Sequence, residues 1–308
     1  MTARVPAIVV HGGAGAKPGT GRDELRAGMR AAVEAGWALL QAGAPSLDAV
    51  EASVRALEDH PCFNAGRGAV LTAEGGVELD ASIMEGDRLR CGAVAAVRGI
   101  ANPIMLARRV LEDGRHVLLV AEGAARFARE QRIAECDPAA LITEPQLRRW
   151  RTGGGSAPTG PPPAPATVTG SGGPAGTVGA VALDARGTIA AATSTGGTAG
   201  KLPGRVGDSA LIGCGTYAES TIGGASCTGT GEAIIRTVLA HRALGFLRDA
   251  EDPEYAAKVA VDVLVDEGGG AGGLILLDWR GRAGFACSTP FMPVAWRSPA
   301  HAESVLAV

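Results

Sequence analysis

From Gly153 to Gly176 the sequence cannot contribute to a hydrophobic core. It reads Gly153-Gly154-Gly155-Ser156-Ala157-Pro158, then Pro161-Pro162-Pro163, then Gly172-Gly173-Pro174-Ala175-Gly176. Glycine loses too much backbone freedom to sit cheaply in a regular element, and proline withholds a donor from any ladder. The tract stops at one peptide bond, Gly176–Thr177. The next residues, Val178-Gly179-Ala180-Val181-Ala182-Leu183, form an apolar, β-compatible run that ends at the turn Asp184-Ala185-Arg186-Gly187. Two readings of this junction stand open. Tracts of this composition serve as spacers between domains. Alternatively the chain is cut there, and Thr177 becomes a new N-terminus with its α-amino group beside its own hydroxyl. That pairing activates an otherwise weak nucleophile.

The rest of the 308 residues has an ordinary globular balance, 46% hydrophobic and 20% charged, with a net charge of -3. No segment accumulates basic residues, which argues against nucleic acid or an anionic membrane as partner. No apolar stretch approaches the ~20 residues of a membrane span, and no signal peptide is recognisable. The six cysteines are scattered, without a C-x-x-C pair or a zinc-like cluster. The expectation is reduced thiols in a cytoplasmic protein. Glycine is in excess, with 46 residues, clustered at the ends of apolar runs.

Apolar spacing predicts strands at Val5–Val10, Val77–Met84, Cys91–Val97 and His116–Val120. It predicts helices at Asp23–Leu40, at Leu47–Leu57 with Ser46 as N-cap, from Asn102-Pro103 through Leu111, and at Ala121–Gln131. After the tract, strands are expected at Thr177–Leu183, Thr188–Thr193 and Leu211–Gly215. Helices are expected from Gly231-Glu232 to about Leu247 and from Pro253 to Glu267, and a hairpin of Leu274–Asp278 with Ala283–Ser288 closes the chain. Strand pairs followed by helix pairs imply a layered α/β fold with antiparallel sheets.

Two glycine motifs carry no chemistry. Thr195-Gly196-Gly197-Thr198-Ala199-Gly200-Lys201-Leu202 has Leu202 where a phosphate-binding loop needs Ser or Thr. Gly213-Cys214-Gly215-Thr216-Tyr217-Ala218 lacks the helix that a dinucleotide fingerprint requires, and Glu219 to Gly224 reads as loop. The hydroxyl run Thr193-Ser194-Thr195 ends a strand, and Thr195 could orient the Thr177 hydroxyl. In Gly204-Arg205-Val206-Gly207-Asp208-Ser209, a guanidinium stands three residues from a carboxylate. It is either a surface ion pair or a clamp in which Arg205 holds an α-carboxylate and Asp208 an α-ammonium. Cys227-Thr228-Gly229-Thr230-Gly231-Glu232 either caps a helix or aims the Thr228 hydroxyl and the Gly229 N–H at a developing oxyanion.

Together with His11-Gly12-Gly13-Ala14-Gly15, Phe63-Asn64-Ala65-Gly66 and Asp80-Ala81-Ser82-Ile83-Met84, these segments resemble the plant-type asparaginases, or isoaspartyl peptidases, of the N-terminal-nucleophile hydrolases. The resemblance covers almost the whole chain. It implies an α+β layered fold, an αββα sandwich, as one domain over 1–308. Self-cleavage would give an α-subunit 1–176, ending in the flexible tract 152–176, and a β-subunit 177–308, working as a homodimer of cleaved units. It also implies Thr177 as nucleophile and cleavage site with Gly176, Thr195 as its support, and Arg205 and Asp208 as the substrate grip. Thr228 and Gly229 would form the oxyanion hole, with Asn64 at the edge of the site. No catalytic cofactor is implied. A structural sodium ion would lie on main-chain carbonyls of Leu57, Glu58, His60, Phe63, Ala65 and Arg67. One departure is Gly200, where relatives often have Asn. The expected activity is hydrolysis of β-aspartyl dipeptides and of the side-chain amide of L-asparagine. The rivals are a glycosylasparaginase-like amidase and a non-catalytic amino-acid-binding protein in which Thr177 stays internal.

Overall fold

The apolar runs on either side of the Gly/Pro tract pair with each other. Strand β1 (Ala7–His11) lies antiparallel to β5 (Val178–Leu183), with His11 opposite Gly179. The structure, a computed structural model, describes residues 5–16, 21–153, 176–301 and 303–307. The expectations for the tract fall, from 154 to 175, outside the described residues.

One sheet has eight strands in the order β12-β11-β1-β5-β6-β2-β3-β4. Its further members are β2 (Leu79–Glu85), β3 (Arg90–Val97), β4 (Leu118–Val120), β6 (Ile189–Thr195), β11 (Val294–Arg297) and β12 (Val305–Ala307). The other has four strands in the order β10-β9-β8-β7: β7 (Thr216–Glu219), β8 (Gly223–Gly229), β9 (Gly272–Asp278) and β10 (Ala283–Cys287). The pairings are antiparallel as expected, except β3 with β4.

Alternation along each strand sorts the core into three clusters. Ile8, Val10, Ala180 and Ala182 face α1 (Arg22–Gln41), α2 (Ser46–Asp59) and α3 (Pro103–Asp113), through side chains such as Met29, Trp37, Val54 and Ile104. Val9, Val181, Leu183 and Ile189 point the other way and meet Ile275 and Leu277 of the small sheet. The far side of the small sheet, with Ala225, Cys227, Leu274 and Leu276, is covered by Leu244 and Leu247 of α7 (Leu239–Ala250) and by Ala257 and Leu264 of α8 (Pro253–Asp266). The result is a mixed α/β protein with two sheets. Two more helices extend the first cluster: α4 (Ala121–Glu130) through Ala124, Phe127 and Ala128, and α5 (Glu144–Thr152), not expected from the sequence, through Leu147 and Trp150.

Several expectations need correcting. Ser46 does not cap α2; its side chain makes no cap bond, and the Asp184 carboxylate accepts its N–H at 3.0 Å instead. A negative charge at a helix N-terminus answers both the free N–H and the dipole. Asn102 likewise makes no side-chain cap to α3, where Glu58 Oε1 accepts the Ile104 N–H at 3.1 Å. The long helix expected from Gly231 is two, α6 (Gly231–Thr237) and α7, broken at Val238 with φ 51°. The last helix, α8, stands as expected. Leu211–Gly215 is a turn after a short 3₁₀ segment, and β7 and β8 occupy much of what read as loop. The cause is close sheet packing: a Cβ on Gly224 would lie 2.6 Å from Val181 Cγ1, so this strand is written in small residues that resemble a turn. The β9–β10 hairpin does not end the chain; β11 and β12 return to the large sheet beside β1.

Candidate active site

Thr177 stands at the head of β5, and Thr195 ends β6 beside it. The register that puts Val178 opposite Ser194 brings the two threonines together, and Thr177 Oγ1 donates to Thr195 Oγ1 at 3.0 Å. Both are buried. Thr195 Oγ1 also accepts the Gly197 N–H at 2.9 Å, so its orientation is fixed from the loop side. Thr228 reaches the same place from the small sheet. Its Oγ1 accepts the Ala14 N–H at 3.1 Å, and a Cβ on Gly176 would lie 3.3 Å from it. Gly13, at φ 100°, passes so close to Gly176 that a Cβ there would sit 2.2–2.5 Å from the Gly176 backbone. The glycine turn after β1 is therefore fitted against the residue before Thr177. Gly229 follows Thr228 at the end of β8.

Arg205 and Asp208 both approach Gly231. An Arg205 guanidinium nitrogen and Asp208 Oδ1 lie 2.7 and 2.9 Å from the point a Cβ on Gly231 would occupy. Asp208 is buried, and its Oδ2 has no partner among the described residues. Burial pushes its carboxyl up to about 7; Arg205 opposes this, while Asp80 and Glu232 add to it. A neighbouring cation entering the site would return it to the charged form. Arg205 Nε donates to Glu232 Oε1 at 2.8 Å. Glu232, read from the sequence only as a helix start, is thus part of this group. Asn64 joins the cluster through the loop after β6: its Nδ2 donates to the Gly197 carbonyl at 2.8 Å, and its own carbonyl accepts the Gly196 N–H at 3.0 Å.

Leu57, Glu58, His60, Phe63, Ala65 and Arg67 form the end of α2 and the loop after it. The carbonyls of Leu57, Glu58 and His60 accept the N–H groups of His60, Arg67 and Phe63 at 3.3, 2.8 and 3.3 Å. The Glu58 side chain is buried and accepts the Ser194 hydroxyl at 2.6 Å; burial pushes it up to about 8. Among the described residues no group of three His, Cys, Asp or Glu could hold a metal ion, and no helix is long and apolar enough to cross a membrane.

The sequence reading missed a buried polar chain behind Thr177. Ser82 Oγ donates to Thr216 Oγ1 at 2.9 Å, and Thr216 donates to Thr193 Oγ1 at 2.5 Å. Thr193 contacts Ser226 Oγ at 2.7 Å, and Ser226 contacts His11 Nε2 at 2.8 Å. The chain crosses from one sheet to the other. A Cβ on Gly179 would fall 1.9 Å from Ser226 Oγ, so the His11–Ser226 contact needs glycine there. His11 is fully buried, and burial holds it down to about 3 against the opposing effect of the Thr177 main chain. It is therefore neutral at pH 7. Alternating hydroxyls at Thr193 and Thr195 were a visible signal; Ser226 lay near a stretch misread as loop.

A family model described as Asparaginase matches residues 4–307. The isoaspartyl peptidase/L-asparaginase of Danio rerio is 44% identical over 277 residues, 90% of this chain and 87% of that protein. The plant-type L-asparaginase of Pyrococcus abyssi is 42% identical over 308 aligned residues, covering 94% and 95% of the two chains. That of Thermococcus kodakarensis is 44% identical over 309 aligned residues, with the same coverage.

Proposed function

The chain belongs to the asparaginase family, and from that premise we propose that it is a threonine-nucleophile hydrolase that opens isoaspartyl peptides and the side-chain amide of L-asparagine. The observation that carries the reading is the Thr177–Thr195 hydroxyl pair beside Thr228, set directly after Gly176. The binding-protein alternative gives no reason for two buried threonine hydroxyls at 3.0 Å beside an amino-acid clamp.

In maturation the Thr177 hydroxyl attacks the Gly176 carbonyl carbon. The acyl group moves from nitrogen to oxygen, and water opens the resulting ester. The freed α-amine, with a reference pKa of about 7.7–8.0, is partly neutral near pH 7 and serves as base. In turnover the Thr177 oxygen attacks the side-chain carbonyl while the amine takes its proton. Thr228 and the Gly229 N–H face the oxyanion, and ammonia or an amino acid leaves with a proton. Water then clears the acyl-enzyme. Thr195 holds the nucleophile in line, and neutral His11 behind it adds no positive charge beside the amine. Arg205 reads the substrate α-carboxylate and Asp208 its α-ammonium, while Asn64 braces the loop after β6 at Gly196 and Gly197.

The same reading takes the layering as an αββα sandwich and the chain as one domain cut into 1–176 and 177–308. It makes the enzyme a cytoplasmic homodimer of cleaved units. The 57–67 loop suits a monovalent cation, because its donors are uncharged carbonyl oxygens. Those of Leu57, Glu58 and His60 accept one N–H each, leaving a second lone pair. With Phe63, Ala65 and Arg67 they would hold sodium and stiffen the loop that carries Asn64. The deciding experiment is Thr177→Ala, read by intact mass and a two-substrate assay. The parent should yield a fragment beginning at Thr177; the variant should stay one chain without activity. Cleavage persisting in the variant would remove Thr177 from its role.

A further inference from the structure

The loop that carries Arg205 and Asp208 is held from one side by two buried carboxylates, Glu78 and Asp80. Glu78, just before β2, accepts the Lys201 ammonium on its main-chain carbonyl at 3.0 Å and the Gly204 N–H on Oε2 at 2.8 Å. Its Oε1 is taken by the Arg98 guanidinium at 2.6 Å. Asp80, on β2, accepts the Ala96 N–H on Oδ1 at 2.8 Å and the Gly207 N–H on Oδ2 at 3.2 Å. Gly207 lies between Arg205 and Asp208 in the chain, and Asp80 sits opposite Thr195 in the strand pair.

The strands are distorted at this point. The β2–β3 register shifts between Leu79 and Ala81, and Ala96 takes φ 51°, a left-handed conformation that a residue with a Cβ adopts at a cost. A bulge re-aims a side chain. Here the re-aimed side chain is Asp80, and both of its oxygens are occupied by main-chain N–H groups. Sheet regularity is given up where a carboxylate must reach the substrate loop.

We propose that Asp80 and Glu78 are positioning residues for substrate recognition: they moor the loop 196–207 so that Arg205 and Asp208 face one aspartyl end, and Asp80 adds a fixed negative charge behind Asp208. The inference rests on the reading of Arg205 and Asp208 as the clamp. Asp208 feels Arg205 on its own loop, Asp80 on β2 and Glu232 on α6, and it in turn acts on the thiols of Cys214 and Cys227. Lys201 lies behind, beside Asp80 and Glu78. Asp80 raises the carboxyl of Asp208; removing that charge lets Asp208 stay ionised to lower pH.

The test compares parent, Asp80→Asn, Glu78→Gln and Arg205→Lys for kcat and KM on L-asparagine and a β-aspartyl dipeptide, from about pH 5 to about pH 9. Each mooring variant should raise KM for both substrates by about three- to tenfold, the scale of one ordinary hydrogen bond, since the amide keeps one acceptor oxygen, with kcat changed less. In the parent, KM should climb as pH falls and Asp208 protonates. Asp80→Asn should move that climb to lower pH, and Glu78→Gln should move it less, since Asp80 and Glu232 are the carboxylates that act most on Asp208. If Asp80→Asn does not fold or mature, the KM of Glu78→Gln decides. Arg205→Lys impaired beside mooring variants with parental KM and parental pH dependence would overturn the proposal alone. Arg205→Lys with parental KM would remove the clamp reading, and this inference with it.

Discussion

His11 is a base that the fold keeps uncharged. Its ordinary pKa is about 6.5 in an unfolded chain and about 3 where it lies buried against Thr177 and Ser226. The unfolded state therefore binds this proton first as pH falls. Stability from this residue is intact above pH 6.5 and is lost on going down from 6.5 toward 3, at about 1.4 kcal/mol per pH unit. His11→Gln should be less stable than the parent at pH 7 but lose less between about pH 6.5 and pH 5, by about 2 kcal/mol. Urea midpoints at the two pH values measure it; an unchanged acid loss would mean that His11 is not held neutral. Residues of this kind were only partly legible in the sequence. Thr177, Thr195 and Thr228 announce themselves by their glycine neighbours. His11, Ser226 and Glu232 do not, because their chemistry comes from partners 215 and 27 positions away in the chain.

At the scale of elements, the amphipathic helices α1, α3 and α8 and the apolar strands β1, β5 and β9 stand close to where periodicity puts them. Caps were misread where a distant carboxylate, Asp184 or Glu58, takes over from the local side chain. The break between α6 and α7 was invisible because Val238 is a poor choice for it: a β-branched residue at φ 51°, 41% exposed. Left-handed backbone costs such a residue about 1–2 kcal/mol. Val238→Gly should relieve that strain and lose little packing, raising stability by about 0.5–1.5 kcal/mol, seen as a higher thermal midpoint. A lower midpoint would show that the exposed valine is held by contacts worth more than the strain.

In the whole molecule the large sheet alternates between the two sides of the Gly176–Thr177 bond. Reading along β12-β11-β1-β5-β6-β2-β3-β4, the strands come from 177–308, then 1–176, then 177–308, then 1–176. The small sheet is drawn entirely from 177–308. If the chain is cut at that bond as proposed, the pieces should travel as one particle through native size exclusion, and neither should regain its far-UV spectrum when refolded alone. Independent refolding of either piece would contradict this. β1 is held between β11 and β5, and no sequence rule states which strands become neighbours across such distances.

That interleaving also orders events in time. The bond after Gly176 can be set against Gly13, Thr195 and Thr228 only when strands from both sides of it have been threaded together. On the proposed self-cleavage, a chain cut by its own threonine would have to fold first, so the cut would serve as a receipt for correct assembly. Newly made chains that misfold would then never acquire the amine on Thr177, and they would stay silent rather than become poor hydrolases.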